Sequence, residues 1–206
     1  MGDTPTIDKK RLDVDRIRAD FPTLKVDVHG KPLVYLANGA TAQKPQCVID
    51  RINDYYAQQN SNVHRGIHYL SATATQHYER VRSLVQRFIN AAKEHEIIFT
   101  KGTTDGINLI ANGFARQILQ EGDDVIFSGM EHHSNIVPWH MATEQTGART
   151  RAIPVLDDGS LDLDAYKSLF TNKTKLVALV HVSNSLGTVN PVIEMSAIAH
   201  DHGVPV

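Results

Sequence analysis

The amino-acid sequence predicts an α/β protein whose mainly parallel sheet is covered by helices on both faces. From residue 96 onward, short apolar segments alternate with amphipathic ones, as strands and helices do in such a sheet. The run 176–180 (Leu-Val-Ala-Leu-Val) is continuously apolar, as expected of a strand that is buried on both faces. In the segment 97–110, an apolar strand turns through Gly102 directly into a helix with apolar residues at helical spacing.

Helix dominates the first part of the chain in this interpretation. The expected elements there are helices over 14–20, 45–59 and 71–90 and a brief strand over 33–36. Pro45 suits the first turn of its helix. Downstream, the expected strands are 97–99, 125–127, 150–153 and 176–182, and the expected helices are 104–119, 134–146, 162–169 and 192–202.

The last residues predict that the fold continues beyond the chain. Gly203 ends the last helix, as glycine commonly does. Residues 204–206 (Val-Pro-Val) then begin what should be another strand. A sheet that stops one step into a strand leaves its neighbours without partners, so we expect the sequence to be the N-terminal part of a longer polypeptide.

Composition and charge narrow the class of protein. With 41% hydrophobic and 21% charged residues, the chain has the composition of a soluble globular protein with a sizeable core. Its formal net charge of −2 gives no electrostatic reason to expect nucleic acid or an acidic membrane as partner. The single cysteine, Cys47, excludes an internal disulfide framework and fits a reducing compartment. Without a membrane span or a signal-peptide core, the expected location is the cytoplasm.

The turn at Gly102 has the features of an anion site. A helix that begins directly after a strand aims its unpaired N–H groups and the positive end of its dipole at one point, where phosphates bind. Gly102 lets the backbone approach closely, and Thr103 and Thr104 each add a hydroxyl donor. The alternative is an ordinary helix cap, a position where threonine is common. Asp105 would repel a phosphate unless its carboxylate points away.

Three predicted strands end in polar residues that could form one site. These polar segments are 101–104, 128–133 and 181–187. Ligands of open α/β sheets bind beyond the carboxyl ends of the strands, so a phosphate cradle, an imidazole and an amide would meet there. The combination suits a phosphorylated aromatic cofactor, with a histidine stacked on its ring and the amide at a ring substituent. The alternative is that these are only the polar loops that follow any strand.

A metal site is a further alternative. Glu131, His132 and His133, followed by His140, offer possible ligands. Adjacent histidines on an extended segment point to opposite faces, however. No H-E-x-x-H zinc motif occurs in the sequence. We therefore expect no metal.

Six motifs together carry a resemblance to a known family. The sequence resembles the group II cysteine desulfurases of the sulfur-mobilisation (SUF) type, which belong to the class V aminotransferase superfamily and bind pyridoxal 5′-phosphate (PLP). The motifs occur in the family's order and spacing from residue 14 to the end of the chain. They are 19–22 (ADFP), 42–45 (AQKP), 63–68 (VHRGIH), 102–104 (GTT), 130–139 (MEHHSNIVPW) and 181–188 (HVSNSLGT).

The resemblance implies a PLP fold-type I protein that is truncated after residue 206. Residues 1–40 would be an N-terminal segment that belongs to a small domain of the intact protein, and residues 41–206 would be the first part of the PLP-binding large domain. The Schiff-base lysine, the nucleophilic cysteine and the aspartate that pairs with the pyridine nitrogen would lie beyond residue 206. Cys47 is not that nucleophile, and its position early in a predicted helix favours a packing role.

The same resemblance implies how the chain holds PLP. Thr103 and Thr104 would lie at the PLP phosphate, with Thr104 as the main hydroxyl donor. His132 would stack on the pyridine ring and assist proton transfers, which makes it the expected catalytic residue. Asn184 would contact the phenolic oxygen of the ring.

The substrate side is implied to come from the N-terminal part of the chain. L-Cysteine would bind at the loop of Gly39 and Ala40, and His64 would lie near the active site or the dimer partner. The alternative for His64 is an interface loop with no catalytic role. Relatives often have alanine where this chain has Gly39, which puts the fine shape of the pocket in question.

The implied function is removal of sulfur from L-cysteine, which leaves L-alanine and holds the sulfur as an enzyme persulfide for iron–sulfur cluster assembly. The implied partners are L-cysteine, a second copy of the chain in a homodimer, and a sulfur-acceptor protein of the SUF type. The alternatives are another class V PLP enzyme, such as a selenocysteine lyase, and a non-catalytic fragment that acts as a binding or assembly module. The 206-residue chain alone is expected to be inactive.

Overall fold

The computed structural model describes residues 12–64 and 66–206. They form two compact units, of which the first ends at Ile98 and the second spans Phe99–Val206. Residues 1–11 of the expected N-terminal segment and Arg65 of the motif 63–68 lie outside the described residues. The assignment of residues 1–40 and 41–206 to two domains of a longer protein stays a prediction. Among the described residues, no helix combines the length and apolarity that crossing a membrane requires.

The described part of the first unit contains three α-helices and a small hairpin. Its elements are α1 (Val14–Ala19), β1 (Asp27–Val28), β2 (Lys31–Pro32), α2 (Gln46–Asp54) and α3 (Tyr69–Phe88). The helices confirm the three that the sequence predicts, and a π-helical turn extends α2 to Gln59. The imidazole of His68 caps α3, because its Nδ1 accepts the Ser71 N–H (3.4 Å).

The strand predicted over 33–36 is wrong. The structure has a hairpin of two short strands, β1 and β2, just before these residues. β1 and β2 pair antiparallel across His29 and Gly30, whose left-handed φ values of 53° and 73° suit a two-residue turn. The Leu33 N–H makes the next bond, to the Val26 carbonyl (3.0 Å). Residues 34–36 then leave the hairpin and pair with no strand in the described part of the chain.

Cys47 lies on α2 and is exposed. The packing role predicted for it is therefore wrong. The sequence-based argument relied on its position early in a predicted helix, but α2 buries none of its side chains against the described residues.

The second unit is built on a parallel sheet, as the sequence predicts. Its strands are β3 (Asp124–Ser128), β4 (Arg149–Ile153) and β5 (Thr174–Ala178), in the order β4-β3-β5. Both pairs are parallel, and every residue of the central strand β3 is buried. The last described residues lie alongside β5, because the N–H of Val177 in this strand donates to the Pro205 carbonyl (3.0 Å).

Two strand predictions differ from the structure, each for a visible reason. Residues 97–99 form no strand with any described residue, and the Ile97 carbonyl accepts a hydrogen bond from the Arg82 guanidinium. β5 ends at Ala178 rather than at residue 182. After Ala178, backbone groups bond to side chains instead of to a neighbouring strand. The Val180 N–H donates to the Glu131 carboxylate (2.6 Å), and the Val180 carbonyl accepts from the Asn190 amide (2.8 Å).

Helices cover the sheet at the predicted places. They are α4 (Thr103–Ile110), α5 (Arg116–Ile118), α6 (Val137–Thr146), α7 (Leu163–Leu169) and α8 (Val192–Asp201). A π-helical segment, Ala111–Ala115, joins α4 to α5, so together they match the helix predicted over 104–119. The helix predicted over 134–146 begins instead with a separate 3₁₀ turn, His133–Asn135.

Alternate residues of β3 face two separate hydrophobic clusters. Val125 and Phe127 pack with Trp139 of α6 on one face of the sheet. Ile126 packs with Tyr166 of α7 on the other face. Helices therefore bury both faces of the central strand, which confirms the predicted fold class and leaves the carboxyl ends of β3 and β5 as the edge where a site can form.

Tyr166 is the largest fully buried side chain of the second unit. Its hydroxyl donates to the Met195 carbonyl (2.8 Å), and burial raises the pKa of the phenol to about 12. The unfolded chain loses the same proton near its ordinary pKa of about 10. Because the folded-state pKa is the higher of the two, the contribution of Tyr166 to the free energy of unfolding is fully present below the ordinary pKa. It is lost as the pH rises through the folded-state pKa.

Replacing Tyr166 with phenylalanine is expected to lower the free energy of unfolding by about 1 kcal/mol at neutral pH, the usual net value of a hydrogen bond. The variant should also lose less stability than the wild type between about pH 9 and about pH 11, because it has no proton to release. Urea unfolding at both pH values measures both effects, with the exposed Tyr56 replaced by phenylalanine as the control. Equal pH dependence in Y166F and the wild type would contradict this account.

Candidate active site

The N-terminus of α4 presents free backbone donors. Gly102 precedes the helix with a φ of 155°, a conformation that L side chains rarely adopt. The first paired N–H of the helix belongs to Gly106, which donates to the Gly102 carbonyl (3.0 Å). Within the described chain, the N–H groups of Thr103 and Thr104 have no acceptor, and both residues are exposed. The turn is therefore open to an anion.

The Asp105 carboxylate already has a hydrogen-bond partner next to this turn. Its Oδ2 accepts the Lys101 N–H (3.1 Å), which ties the side chain to the segment before the helix. The Thr100 hydroxyl donates to the Gly102 carbonyl (3.1 Å) and holds the same segment from the other side. The carboxylate is thus committed to the backbone that shapes the turn.

His132 follows β3 and is exposed. Its Nδ1 accepts the Ser134 N–H (3.1 Å) and is hydrogen-bonded to the Ser134 hydroxyl (2.9 Å). A backbone N–H can only donate, so this nitrogen carries no proton and the neutral ring carries its proton on Nε2. No described residue bonds to Nε2. Ser134 therefore fixes both the orientation and the tautomer of the ring, and leaves the Nε2 edge available.

Asn184 lies in a tight loop after β5 and is exposed. The neighbouring Ser183 is buried, and its N–H donates to the Thr188 carbonyl (2.9 Å) while its hydroxyl accepts the Leu186 N–H (3.2 Å). Gly187 closes the loop with a left-handed φ of 74°. The Asn184 amide makes no hydrogen bond to any described residue, so a loop closed by internal hydrogen bonds presents a free polar group.

Two of the elements that carry these residues adjoin at one edge of the sheet, and the third contacts one of them. β3 and β5 are parallel neighbours, so the segments that follow them begin side by side. Glu131 accepts the Val180 N–H (2.6 Å) and thereby joins the two segments directly. α4 packs against the turn His133–Asn135. Two of the three predicted strand ends, those of β3 and β5, therefore lie side by side, and α4 contacts the turn that follows His132 although no strand directly precedes it in the described chain. The individual roles of the residues stay predictions.

Two of the residues weighed as metal ligands, Glu131 and His140, have other partners. The Glu131 carboxylate accepts hydrogen bonds from Ser128, Val180 and Asn135. The His140 Nδ1 is hydrogen-bonded to the Thr150 hydroxyl (3.0 Å). Over residues 12–64 and 66–206, no group of three or more histidine, cysteine or acidic side chains has the arrangement of a metal site.

The residues predicted to bind substrate, Gly39, Ala40 and His64, belong to the first unit. Gly39 and Ala40 lie in an exposed turn, in which Ala40 and Thr41 donate their N–H groups to the Ala37 carbonyl (3.1 and 3.0 Å). Their role in binding substrate stays a prediction.

His64 is held firmly within the first unit. It has a left-handed φ of 66°, and its N–H donates to the Thr75 hydroxyl (2.9 Å). Its Nε2 lies 3.0 Å from Glu79 Oε1, and its ring meets the edge of Tyr78 at a centroid distance of 5.7 Å. Sequence reasoning missed these partners on α3. The predicted place of His64 near the active site or dimer partner stays a prediction.

The second-unit residues fit a phosphorylated pyridine cofactor. Free N–H groups and hydroxyls at Thr103 and Thr104 can bind a phosphate, since backbone donors at a helix N-terminus favour anions. The imidazole of His132 can stack on a ring, and the Asn184 amide can bind a ring substituent. Donors, imidazole and amide are all accessible at adjoining elements.

Comparison with known proteins places the chain in a family. A family model described as "Aminotransferase class-V" matches residues 34–206. The chain belongs to the class-V aminotransferase family. The match spans both units and includes every residue to which a site role was assigned.

Curated relatives of this class-V chain include cysteine desulfurases. One from Serratia proteamaculans is 53% identical over 193 residues, which cover 94% of this chain and 48% of the relative. The solved apo structure of the cysteine desulfurase from Thermococcus onnurineus NA1 superposes with a TM-score of 0.83 at 37% identity and covers 93% of this chain and 46% of that one. The resemblance to cysteine desulfurases is confirmed, and the chain spans about half the length of the curated relatives it matches. The group II, SUF-type subdivision stays a prediction.

A more distant structure shares the fold of the class-V chain. It is a variant of a protein named C-DES with glycine covalently linked to its PLP cofactor, at a TM-score of 0.73 and 22% identity. The alignment covers 90% of this chain and 46% of that one. At this identity, the likeness concerns the fold alone.

Sequence reasoning singled out the exposed residues of the site but not the residues that hold them in place. Ser134 directs the His132 ring, and Glu131 joins the two loops that follow β3 and β5. A serine two residues after a histidine is a local signal that could have been noticed. The contact of Glu131 with Val180 joins residues 49 positions apart and gives no sequence signal.

Proposed function

We propose that the intact protein is a PLP-dependent cysteine desulfurase and that this chain supplies half of its cofactor site. The main support is the meeting of the open α4 N-terminus, His132 and Asn184 at adjoining elements of the second unit. The identity to cysteine desulfurases over nearly the whole chain supports the same substrate class. The SUF-type subdivision is part of the proposal and depends on the motifs of the sequence.

The residues of the second unit divide the work of holding PLP. The N–H groups at the start of α4 and the hydroxyls of Thr103 and Thr104 would hold the phosphate. The His132 imidazole would stack on the pyridine ring, and the Asn184 amide would donate to the phenolic oxygen. When bound, PLP supplies an electron sink for charge that develops at the substrate Cα.

His132 is the group of this chain that moves a proton. Because Ser134 occupies Nδ1, the Nε2 nitrogen is the one that carries or accepts the proton. An imidazole nitrogen can either accept or donate a proton, which suits the ring to this purpose. The sulfur of L-cysteine passes to a cysteine thiolate that we place beyond residue 206, which leaves L-alanine and an enzyme persulfide.

The remaining partners follow from the family resemblance. We propose a homodimer, with Gly39, Ala40 and His64 contributing to substrate binding or to the partner's site. A SUF-type carrier protein receives the persulfide sulfur for iron–sulfur cluster assembly. The single cysteine of this chain is consistent with a reducing compartment, and we propose the cytoplasm.

The proposal is tested with the full-length protein purified in the presence of PLP. We expect a yellow protein whose colour borohydride bleaches, because PLP would be linked to a lysine. The same protein should form L-alanine and an enzyme persulfide from L-cysteine. A colourless protein would contradict cofactor binding and favour a binding or assembly module. A yellow protein that releases alanine only from selenocysteine would identify a selenocysteine lyase instead.

A further inference from the structure

Glu131 is a buried carboxylate next to the exposed His132. Its side chain is one of the few acidic ones buried in the second unit, with 8% of the residue exposed. Its Oε1 accepts the Ser128 hydroxyl (2.5 Å) and the Val180 N–H (2.6 Å), while its Oε2 accepts the Asn135 amide (2.8 Å). Both oxygens therefore act as acceptors, as an ionised carboxylate does.

The three donors come from three different parts of the site. Ser128 ends β3, Asn135 ends the 3₁₀ turn that begins after His132, and Val180 lies two residues beyond β5. The Val180 segment continues into the loop that carries Asn184. One carboxylate thus fastens the loop with the imidazole to the loop with the amide.

The network has a fixed direction of hydrogen bonding. The Trp139 indole can only donate, and its Nε1 donates to Asn135 Oδ1 (2.9 Å). This bond turns the NH₂ group of Asn135 toward Glu131, which must accept. Val180 also offers a backbone donor that cannot be reversed. Glutamate satisfies donors on both sides, whereas a glutamine would place its own NH₂ against one of them.

We propose that Glu131 is a positioning residue that holds the His132 loop and the Asn184 loop in register by accepting from both. This inference rests on the proposed function for its consequence in catalysis. Its structural part, the clamp between the two loops, concerns contacts within this chain alone. A buried donor or acceptor left without its partner is costly, so loss of one acceptor should loosen both loops.

Two single variants and their combination test the direction of the network. E131Q keeps the shape of the side chain but sets NH₂ against NH₂ at Asn135. N135D sets two carboxylates against each other. In the double variant E131Q/N135D, the glutamine NH₂ donates to the introduced carboxylate, which still accepts the Trp139 N–H. The double variant also retains an acceptor for the Val180 N–H and keeps the net charge of the wild type.

Amide hydrogen exchange of residues 179–184 in the PLP-free full-length protein reads the clamp directly. We expect exchange to be at least about tenfold faster in E131Q and in N135D than in the wild type, the ratio that ~1.4 kcal/mol produces. The double variant should return toward wild-type exchange. E144Q, on the exposed face of α6, serves as the matched control and should exchange like the wild type.

In the PLP-loaded protein, we expect kcat for alanine formation to fall at least about tenfold in E131Q, which corresponds to ~1.4 kcal/mol. The KM for cysteine should change less than kcat. The circular dichroism of bound PLP should change in E131Q and recover in the double variant, because it reports the orientation of the ring and its neighbours.

Wild-type exchange in E131Q, or a double variant no better than either single variant, would overturn the clamp. If exchange responds as expected but no variant binds PLP or forms alanine, the clamp stands and the proposed function fails. If exchange responds while kcat and the PLP signal are unchanged, Glu131 fixes the fold without positioning His132, and the inference is wrong.

Discussion

Replacing His132 with alanine is expected to lower the rate of alanine formation by about 10²–10⁴-fold, the usual contribution of a positioned general acid or base. Ser134 holds Nδ1, so the Nε2 edge of the ring is the one available for proton transfer. PLP should stay bound in H132A, because the proposal assigns its phosphate to Thr103 and Thr104 and its aldehyde carbon to a lysine beyond residue 206. The loss should therefore fall on kcat.

The measurement is alanine formation by the full-length H132A protein, with its PLP content quantified from the same sample. H133A is the matched control, since His133 lies in the same turn and its side chain makes no hydrogen bond to a described residue, while its ring lies 6.2 Å from that of His132. We expect H133A to retain most activity. Unchanged alanine formation in H132A would remove His132 from the proposed chemistry, and loss of PLP together with activity would assign it to cofactor binding instead.

Replacing Thr104 with valine is expected to weaken PLP binding by about 1–3 kcal/mol, the usual cost of losing a charge-assisted hydrogen bond. Valine keeps the shape of the side chain, so the helix should be preserved while the hydroxyl is lost. The residue is exposed and its hydroxyl bonds to no described group, so the substitution breaks no internal contact.

Equilibrium binding of PLP to the full-length protein measures this effect. T104S keeps the hydroxyl and is expected to bind PLP like the wild type. Equal PLP affinity in T104V and the wild type would show that Thr104 does not contact the phosphate, and a matching loss in T104S would point to a change in the helix rather than to a missing donor.

The parallel sheet and its covering helices are predictable from local pattern. Continuous apolar runs such as 176–180 report burial on both faces, and helical spacing reports α4 and α8. The end of β5 is not predictable this way, because Val180 is apolar yet bonds to side chains rather than to a strand. Similarly, no local pattern reveals that residues 97–99 lack a strand partner in the described chain.

The exposed groups of the site are predictable because they occur just beyond apolar segments. His132 and Asn184 follow β3 and β5, and parallel strands bring such positions to one edge. Thr103 follows the apolar residues 97–99, which form no strand in the described chain, so its place in the site depends on the contact of α4 with the turn His133–Asn135. Their supports depend on long-range contacts, such as that between Glu131 and Val180. Cys47 shows the same limit, since apolar neighbours on α2 do not reveal which face another element covers.

A crystal structure of the full-length protein grown with PLP tests the central claim most directly. We predict phosphate oxygens at about 2.7–3.2 Å from the N–H groups at the start of α4 and from the Thr104 hydroxyl. The His132 ring should lie against the pyridine ring, with its Nδ1 still bonded to Ser134. A PLP phosphate bound away from Thr103 and Thr104, or a His132 ring turned away from the pyridine, would contradict the account.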